Sequence, residues 1–201
     1  MATTRKASAY SKKKPVIYTR KSSKKQQKNY IKTIPPQKVV KFNMGDYLGF
    51  EQGKYKIKIA LISGENVQIR DLALESVRQS LHKDLAELFQ NNFFLKCSAY
   101  PHNILRNNRI FSGGSKGERI QTGMQLSFGS PEGRAAIVKK GKSIFTAYFN
   151  GEENVSKVRG FFKKASPKLP CKSDINVERI EKEDKVKKIE EEVEKEELAV
   201  Q

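Results

Sequence analysis

The chain is predicted to fold as an α+β domain, on three patterns. A strict alternation of apolar and cationic residues runs from Lys54 to Leu61. A long three-and-four spacing of apolar residues runs from Asn66 to Phe89. Shorter strand-like runs follow at 93–100, 134–138 and 143–149.

The elements are justified in order. The first 33 residues are rich in Lys, Ser and Gln, and such a stretch is expected to be extended or disordered in isolation. Pro35-Pro36 stiffens the approach to a strand at Val39–Phe42. In the strand Lys54–Leu61, Tyr55, Ile57, Ile59 and Leu61 share a buried face and Lys54, Lys56 and Lys58 share the other. The helix over 66–89 carries Ile69, Leu72, Ala73, Val77, Leu81, Leu85 and Leu88 as its apolar stripe, with Asn66 as N-cap. A strand over 93–100 puts Phe93, Leu95, Cys97 and Ala99 on one face, so Cys97 reads as a small core residue; Pro101 ends it. Strands resume at Arg134–Val138 and Ser143–Phe149. A short helix over 154–165 turns Val155, Val158, Phe162 and Ala165 inward and stops at Pro167. Ile175 and Val177 suggest a last strand.

Charge divides the 201 residues. Residues 1–58 hold 16 Lys/Arg and 2 acids, residues 59–170 hold 17 and 9, and residues 171–201 hold 7 and 11; these give the whole-chain net charge of +18. The organisation expected is a basic arm (1–37), one core domain (38–178) with a Gly-rich loop at 106–119, and an acidic tail (179–201) that is disordered or a solvated helix. A cationic excess of this size repels itself unless a polyanion neutralises it, which argues against a neutral metabolic enzyme. No 18-residue apolar run is present, so no transmembrane helix is expected. The first residues hold cations without an apolar run, so no secretory leader is expected, and two cysteines fit a reduced, cytosolic setting.

Candidate chemistry is sparse. His82 and His102 are isolated, with no Cys or carboxylate at ligand spacing, so no metal is expected. Gly113-Gly114-Ser115-Lys116-Gly117 lacks the spacer and closing Gly-Lys-Ser/Thr of a phosphate-binding loop. No nucleophile–base set or carboxylate pair stands out, so neither catalysis nor a cofactor is expected. Polyanion binding remains. In the arm, Arg5, Lys6, Lys12, Lys13, Lys14, Arg20 and Lys21 are interleaved with Tyr10 and Tyr18, a pattern that suits bases stacking on rings while cations meet phosphates. Arg106, Arg109, Lys116 and Arg119 punctuate the Gly-rich segment, with Arg134, Lys139 and Lys140 beyond it. Glycines there let backbone N–H groups approach phosphates.

Several motifs in order carry a resemblance. They are Lys38-Val39-Val40-Lys41-Phe42-Asn43-Met44-Gly45, Val67-Gln68-Ile69-Arg70-Asp71-Leu72-Ala73-Leu74-Glu75 and Tyr100-Pro101-His102-Asn103-Ile104-Leu105-Arg106-Asn107-Asn108. Arg119-Ile120-Gln121-Thr122-Gly123-Met124, Phe128-Gly129-Ser130-Pro131-Glu132-Gly133 and Lys164-Ala165-Ser166-Pro167-Lys168-Leu169-Pro170 follow. Over about residues 5–178 the chain resembles the universal large-subunit ribosomal protein family called L-sixteen in bacteria and L-ten-e in archaea and eukaryotes, in its archaeal type. The resemblance implies a hammerhead-like core, two helices packed on an antiparallel-rich sheet. It implies a structural, non-enzymatic part of the cytoplasmic ribosome, a monomer within the particle that supports translation. The partners implied are large-subunit rRNA near the A-site and peptidyl-transferase region, 5S rRNA, A-site tRNA and neighbouring ribosomal proteins, with no membrane. It carries over Arg70, His102, Arg106, Arg119, Gln121 and Met124 as RNA-facing or loop-supporting. It makes Asn107, Asn108, Gly113, Gly114, Ser115 and Gly117 part of a loop facing tRNA and the peptidyl-transferase centre.

Departures from the family pattern are Gln125 for the usual Arg, Ser130 for the usual Lys, Gly117-Glu118 for Ala-Asp, and an apparent insertion over Ser22–Asn29. The acidic tail has no family counterpart. The alternative function is a non-ribosomal RNA-binding or RNA-processing factor.

Overall fold

The computed structural model of the chain describes residues 33–107 and 130–180, together with Ser11 and Ile31. In chain order the elements are β1 (Asn43–Gly45), α1 (Tyr47–Glu51), β2 (Ile57–Ser63), β3 (Val67–Arg70), α2 (Asp71–Phe89), β4 (Phe93–Cys97), β5 (Asn103–Asn107), β6 (Ser130–Val138), β7 (Ser143–Phe149), α3 (Val155–Ala165) and β8 (Ser173–Arg179). The fold is α+β, and every strand pairing among the described residues is antiparallel. A five-stranded sheet has the order β1-β4-β7-β2-β8, and a three-stranded sheet the order β3-β6-β5.

The two longer helices pack on the larger sheet because their apolar stripes match its inner face. Leu74, Val77, Leu81 and Leu85 of α2 and Val158, Phe162 and Ala165 of α3 join Ile57, Ile59, Leu61, Phe93, Leu95, Phe145 and Phe149 in one core cluster. Full burial of each large side chain contributes about 1.5–3 kcal/mol. Lys164 of α3 pairs with Asp84 of α2 at 3.2 Å across the helix contact. Cys97 is 4% exposed, and burial pushes its thiol up to about 12, as expected of a core residue.

The larger sheet is also covered on its other face. Phe94 and Tyr148 are register partners in β4 and β7. Phe50 of α1 lies 4.5 Å from Phe94 and 4.6 Å from Tyr148, ring centre to ring centre. The short helix is held by Asp46, whose Oδ1 accepts from the Gly49 N–H at 2.9 Å. That bond, with help from the Tyr55 hydroxyl and Lys54, outweighs burial and keeps the Asp46 carboxyl below the usual range. Gly45 makes the turn between β1 and α1 at φ +91°; a Cβ there would overlap the Phe93 carbonyl oxygen.

Several expectations are corrected. Residues 67–70 form β3 rather than the first turn of the helix, because Val67 and Ile69 pair into β6 opposite Val138 and Ala136. Ile69 stands three residues before Leu72, which imitates a helical spacing across the junction. The N-cap is Arg70, and the Asn66 carbonyl Oδ1 instead receives the Lys140 N–H. Leu72 is 49% exposed, and Leu74 takes its place on the buried stripe. Val39–Phe42 is not a strand; the Lys38 and Val40 N–H groups go to side chains of α2, as described below. Tyr55 precedes its strand and is buried by a hydrogen bond from its hydroxyl to Asp46. Lys58 is paired across the sheet with Glu178 at 2.6 Å. β5 is unanticipated, as is the second sheet.

Candidate nucleic-acid interface

The three-stranded sheet carries the expected arginines. β5 and β6 are adjacent strands that lead into and out of residues 108–129, so they form the stem of the Gly-rich segment. Arg106 is half-buried on β5, in register with Pro131 of β6. Arg134 on β6 donates through Nε to the Pro35 carbonyl at 2.7 Å. Arg70, half-buried, ends β3 opposite Ala135. The structure thus gathers Arg70, Arg106 and Arg134 on one small sheet at the root of the segment. His102 is exposed, and its Nδ1 lies 3.1 Å from the Tyr100 carbonyl oxygen.

A carboxylate pair fixes the chain where the arm meets the core. The Lys38 N–H donates to Asp71 Oδ2 at 3.3 Å and the Val40 N–H to Glu75 Oε2 at 3.2 Å. The spacing has a simple cause. Four residues of helix rise about 6 Å, close to the span of two residues of extended chain. Arg78 closes on Glu75 with bonds of 2.7 and 2.6 Å, and these hold the Glu75 carboxyl below its usual range. Burial pushes the Asp71 carboxyl up. The side chains of Lys38 and Lys41 are left exposed.

A lysine cluster occupies one end of the molecule. The turn between β6 and β7 presents Lys139, Lys140 and Lys142, all exposed. It is tied to the β2–β3 turn by Gly141 N–H to Ser63 O at 2.8 Å and Ser63 N–H to Lys142 O at 3.0 Å. The Gly64 N–H bonds Lys172 O at 2.9 Å, which adds a fourth exposed lysine. Gly141 turns the chain at φ +81°. None of the four ammonium groups has an acidic partner among the described residues. Locked backbone beneath free cations suits phosphate contact without a large ordering cost.

The outer face of α3 was missed by the sequence reading. Lys157, Arg159 and Lys163 are exposed there, opposite Val158, Phe162 and Ala165. Lys142 and Lys172 were missed as well. The signal was present in the helix: cations at 157, 159 and 163 fall between the apolar positions. For Lys142 and Lys172 no local pattern exists, because tertiary contacts bring them together.

The remaining expected residues fall outside the described ones: Arg5, Lys6, Tyr10, Lys12, Lys13, Lys14, Tyr18, Arg20 and Lys21 of the arm, and Asn108, Arg109, Gly113, Gly114, Ser115, Lys116, Gly117, Arg119, Gln121 and Met124 of the loop. So does the tail beyond Ile180. Asn107 ends β5. No three His, Cys, Asp or Glu side chains gather as a metal site among the described residues, and no helix among them is long and apolar enough to cross a membrane. His82 packs edge-on to Phe93 at 5.9 Å.

Residues 18–176 match the family described as ribosomal protein L16p/L10e. Three proteins described as large ribosomal subunit protein uL16 illustrate the similarity. The one from Pyrobaculum neutrophilum is 37% identical over 153 residues, covering 76% of this chain and 83% of that protein. The one from Thermofilum pendens is 36% identical over 150 residues, covering 74% and 86%. The one from Halobacterium salinarum is 35% identical over 171 residues, covering 83% and 94%.

Proposed function

This chain belongs to the ribosomal protein L16p/L10e family, and from that membership we propose that it is a structural constituent of the large ribosomal subunit. It acts by binding large-subunit rRNA and makes no covalent bond itself. Its setting is the cytoplasmic ribosome, as a monomer among neighbouring ribosomal proteins. The observation that carries this reading is the distribution of cations. Lys139, Lys140, Lys142 and Lys172 stand on a backbone-locked end of the core with no acidic partner among the described residues, and Lys157, Arg159 and Lys163 line the outer face of α3. Such surfaces take phosphate at many points and give affinity that falls steeply with salt.

The finer placement concerns the segment at 108–129. Its stem is a pair of antiparallel strands, β5 and β6, which carry Arg106 and Arg134. We assign this segment to the tRNA path near the peptidyl-transferase centre, with 5S rRNA and A-site tRNA as neighbours. In this assignment the basic arm over 1–37 binds rRNA together with the core over 38–178.

Sedimentation tests the reading. The tagged full chain should travel with the large subunit through moderate salt, and sequencing of its crosslinked RNA should return large-subunit rRNA. Recovery in free fractions alone, or crosslinks spread over unrelated RNAs, would overturn it in favour of a free RNA-binding factor.

A further inference from the structure

We propose that the outward face of Tyr100, backed by the ring of Phe42, is a stacking platform for one unpaired base of the bound RNA. The proposal rests on the ribosomal reading above and adds to it a specific base-binding site.

Tyr100 lies in the corner between β4 and β5. Ala99 and Pro101 on either side of it are buried, so the chain alternates inward and outward through the corner. The Tyr100 side chain is sent outward and is 52% exposed. Phe42 packs against it with ring centres 5.3 Å apart and planes 31° from parallel. Phe42 is itself part of the core margin and lies on the segment bonded to β4 through Cys97 N–H to Phe42 O at 2.7 Å. The Tyr100 carbonyl receives the His102 N–H at 3.0 Å, which closes the corner into a tight turn. The ring is therefore mounted on a fixed backbone with an aromatic support behind it, and little freedom remains to be lost on stacking.

A single exposed aromatic is ordinary on a protein surface. The surroundings separate this one. The segment that supplies Phe42 also presents Lys38, Val40 and Lys41 to solvent, with Val40 71% exposed. Exposed cations on the segment that carries Phe42 can meet the phosphates on either side of a stacked base. No carboxylate among the described residues is paired with Tyr100. Glu75, which binds the Val40 N–H, is neutralised by Arg78 at 2.6 Å. Tyr47, which is also half-exposed among the described residues, contrasts: the Glu51 carboxylate pushes its hydroxyl up, and that negative charge disfavours RNA. His102 is exposed two residues on, and β5 then leads along the chain to Arg106.

The test uses large subunits isolated from cells expressing the tagged full chain. Short-wavelength ultraviolet crosslinking followed by peptide mapping should place a nucleotide adduct on Tyr100. Subunits carrying Tyr100→Leu, which keeps the cover over Phe42 but removes the π face, should show one unpaired nucleotide gaining chemical reactivity roughly fivefold or more, the change expected for a lost base stack. Tyr100→Phe should leave that nucleotide protected. Particles that crosslink at other residues but not at Tyr100, or a crosslink from Tyr100 to a peptide, would overturn the platform while leaving the ribosomal reading intact. Absence of the parent chain from the subunit would overturn both. If Tyr100→Leu is not incorporated, the adduct on the unmodified chain decides.

Discussion

Gln68 and Asn103 join side chain to side chain at 2.6 Å across an intervening strand. Gln68 lies on β3 and Asn103 on β5, with β6 between them. Their register partners there are Ile137 and Ala135. Both polar side chains are 1% exposed, and Ala135 beneath them is fully buried. The bond ties the outer strands of the three-stranded sheet and so braces the stem of the 108–129 segment. Gln68→Leu and Asn103→Leu should each cost about 1–3 kcal/mol, since each leaves a buried amide with a partner missing. The double variant should cost less than the sum, because both amides leave together. Urea unfolding of the full chain measures this; strictly additive losses would contradict it.

Glu75 makes the arm root sensitive to acid. Its carboxyl is held below its ordinary value of 4.5, first by Arg78. The stability this contributes is fully present above pH 4.5 and is lost as pH falls through the lower folded-state value. Asp71 acts in the opposite sense: burial raises it above 3.8, so its charged form costs stability as pH rises past that value. Glu75→Gln should lower stability at neutral pH by about 2 kcal/mol and flatten the acid limb. The Val40 amide should exchange faster in that variant. An unchanged acid limb would show that the Arg78 pair is not its source.

The lysine cluster should act on RNA and not on folding. Replacing Lys139, Lys140 and Lys142 together by Gln should leave stability within about 0.5 kcal/mol, because none of the three ammonium groups has an acidic partner among the described residues and their bonds within the protein are made by backbone. The slope of log affinity against log salt for large-subunit rRNA should become shallower by about 0.7–0.9 for each phosphate contact removed. An unchanged slope would remove this end of the molecule from the interface.

Two glycines should respond in opposite ways to alanine. Gly45→Ala should cost about 2 kcal/mol or more, since its φ of +91° and the Phe93 carbonyl leave no room for a Cβ. Gly160→Ala should stabilise by about 0.5–1 kcal/mol, because α3 is helical there and nothing lies within 4 Å of the added carbon. Thermal unfolding distinguishes the pair, and equal shifts would refute the contrast.

The elements with a clean period were legible at once. β7 begins and ends where the apolar run Ser143–Phe149 does, and α3 starts one residue after its expected beginning. Val158, Phe162 and Ala165 are buried as their spacing requires. The junction at Arg70 was not legible, since a strand that feeds straight into a helix can keep apolar residues three apart across the change of period. Nor was the burial of Phe94, because its cover comes from α1, a five-residue helix too short to show a period of its own. Among site residues, Arg70, Arg106 and Arg134 were singled out one at a time. Their sharing of one sheet follows from β3 pairing with β6, a contact between residues about 70 apart in the chain.

The sequence by itself determined the α+β class, the partition of charge and the family motifs. Each is a property of composition or of short-range spacing, and such properties survive without knowledge of who meets whom. Only the tertiary structure decided that the described strands divide into two sheets, that Asp71 and Glu75 hold the root of the arm, and that Lys142 and Lys172 join Lys139 and Lys140. Those facts depend on strand pairing and turn-to-turn contact between distant segments, which arise from burial of the whole core and leave no local pattern in the chain.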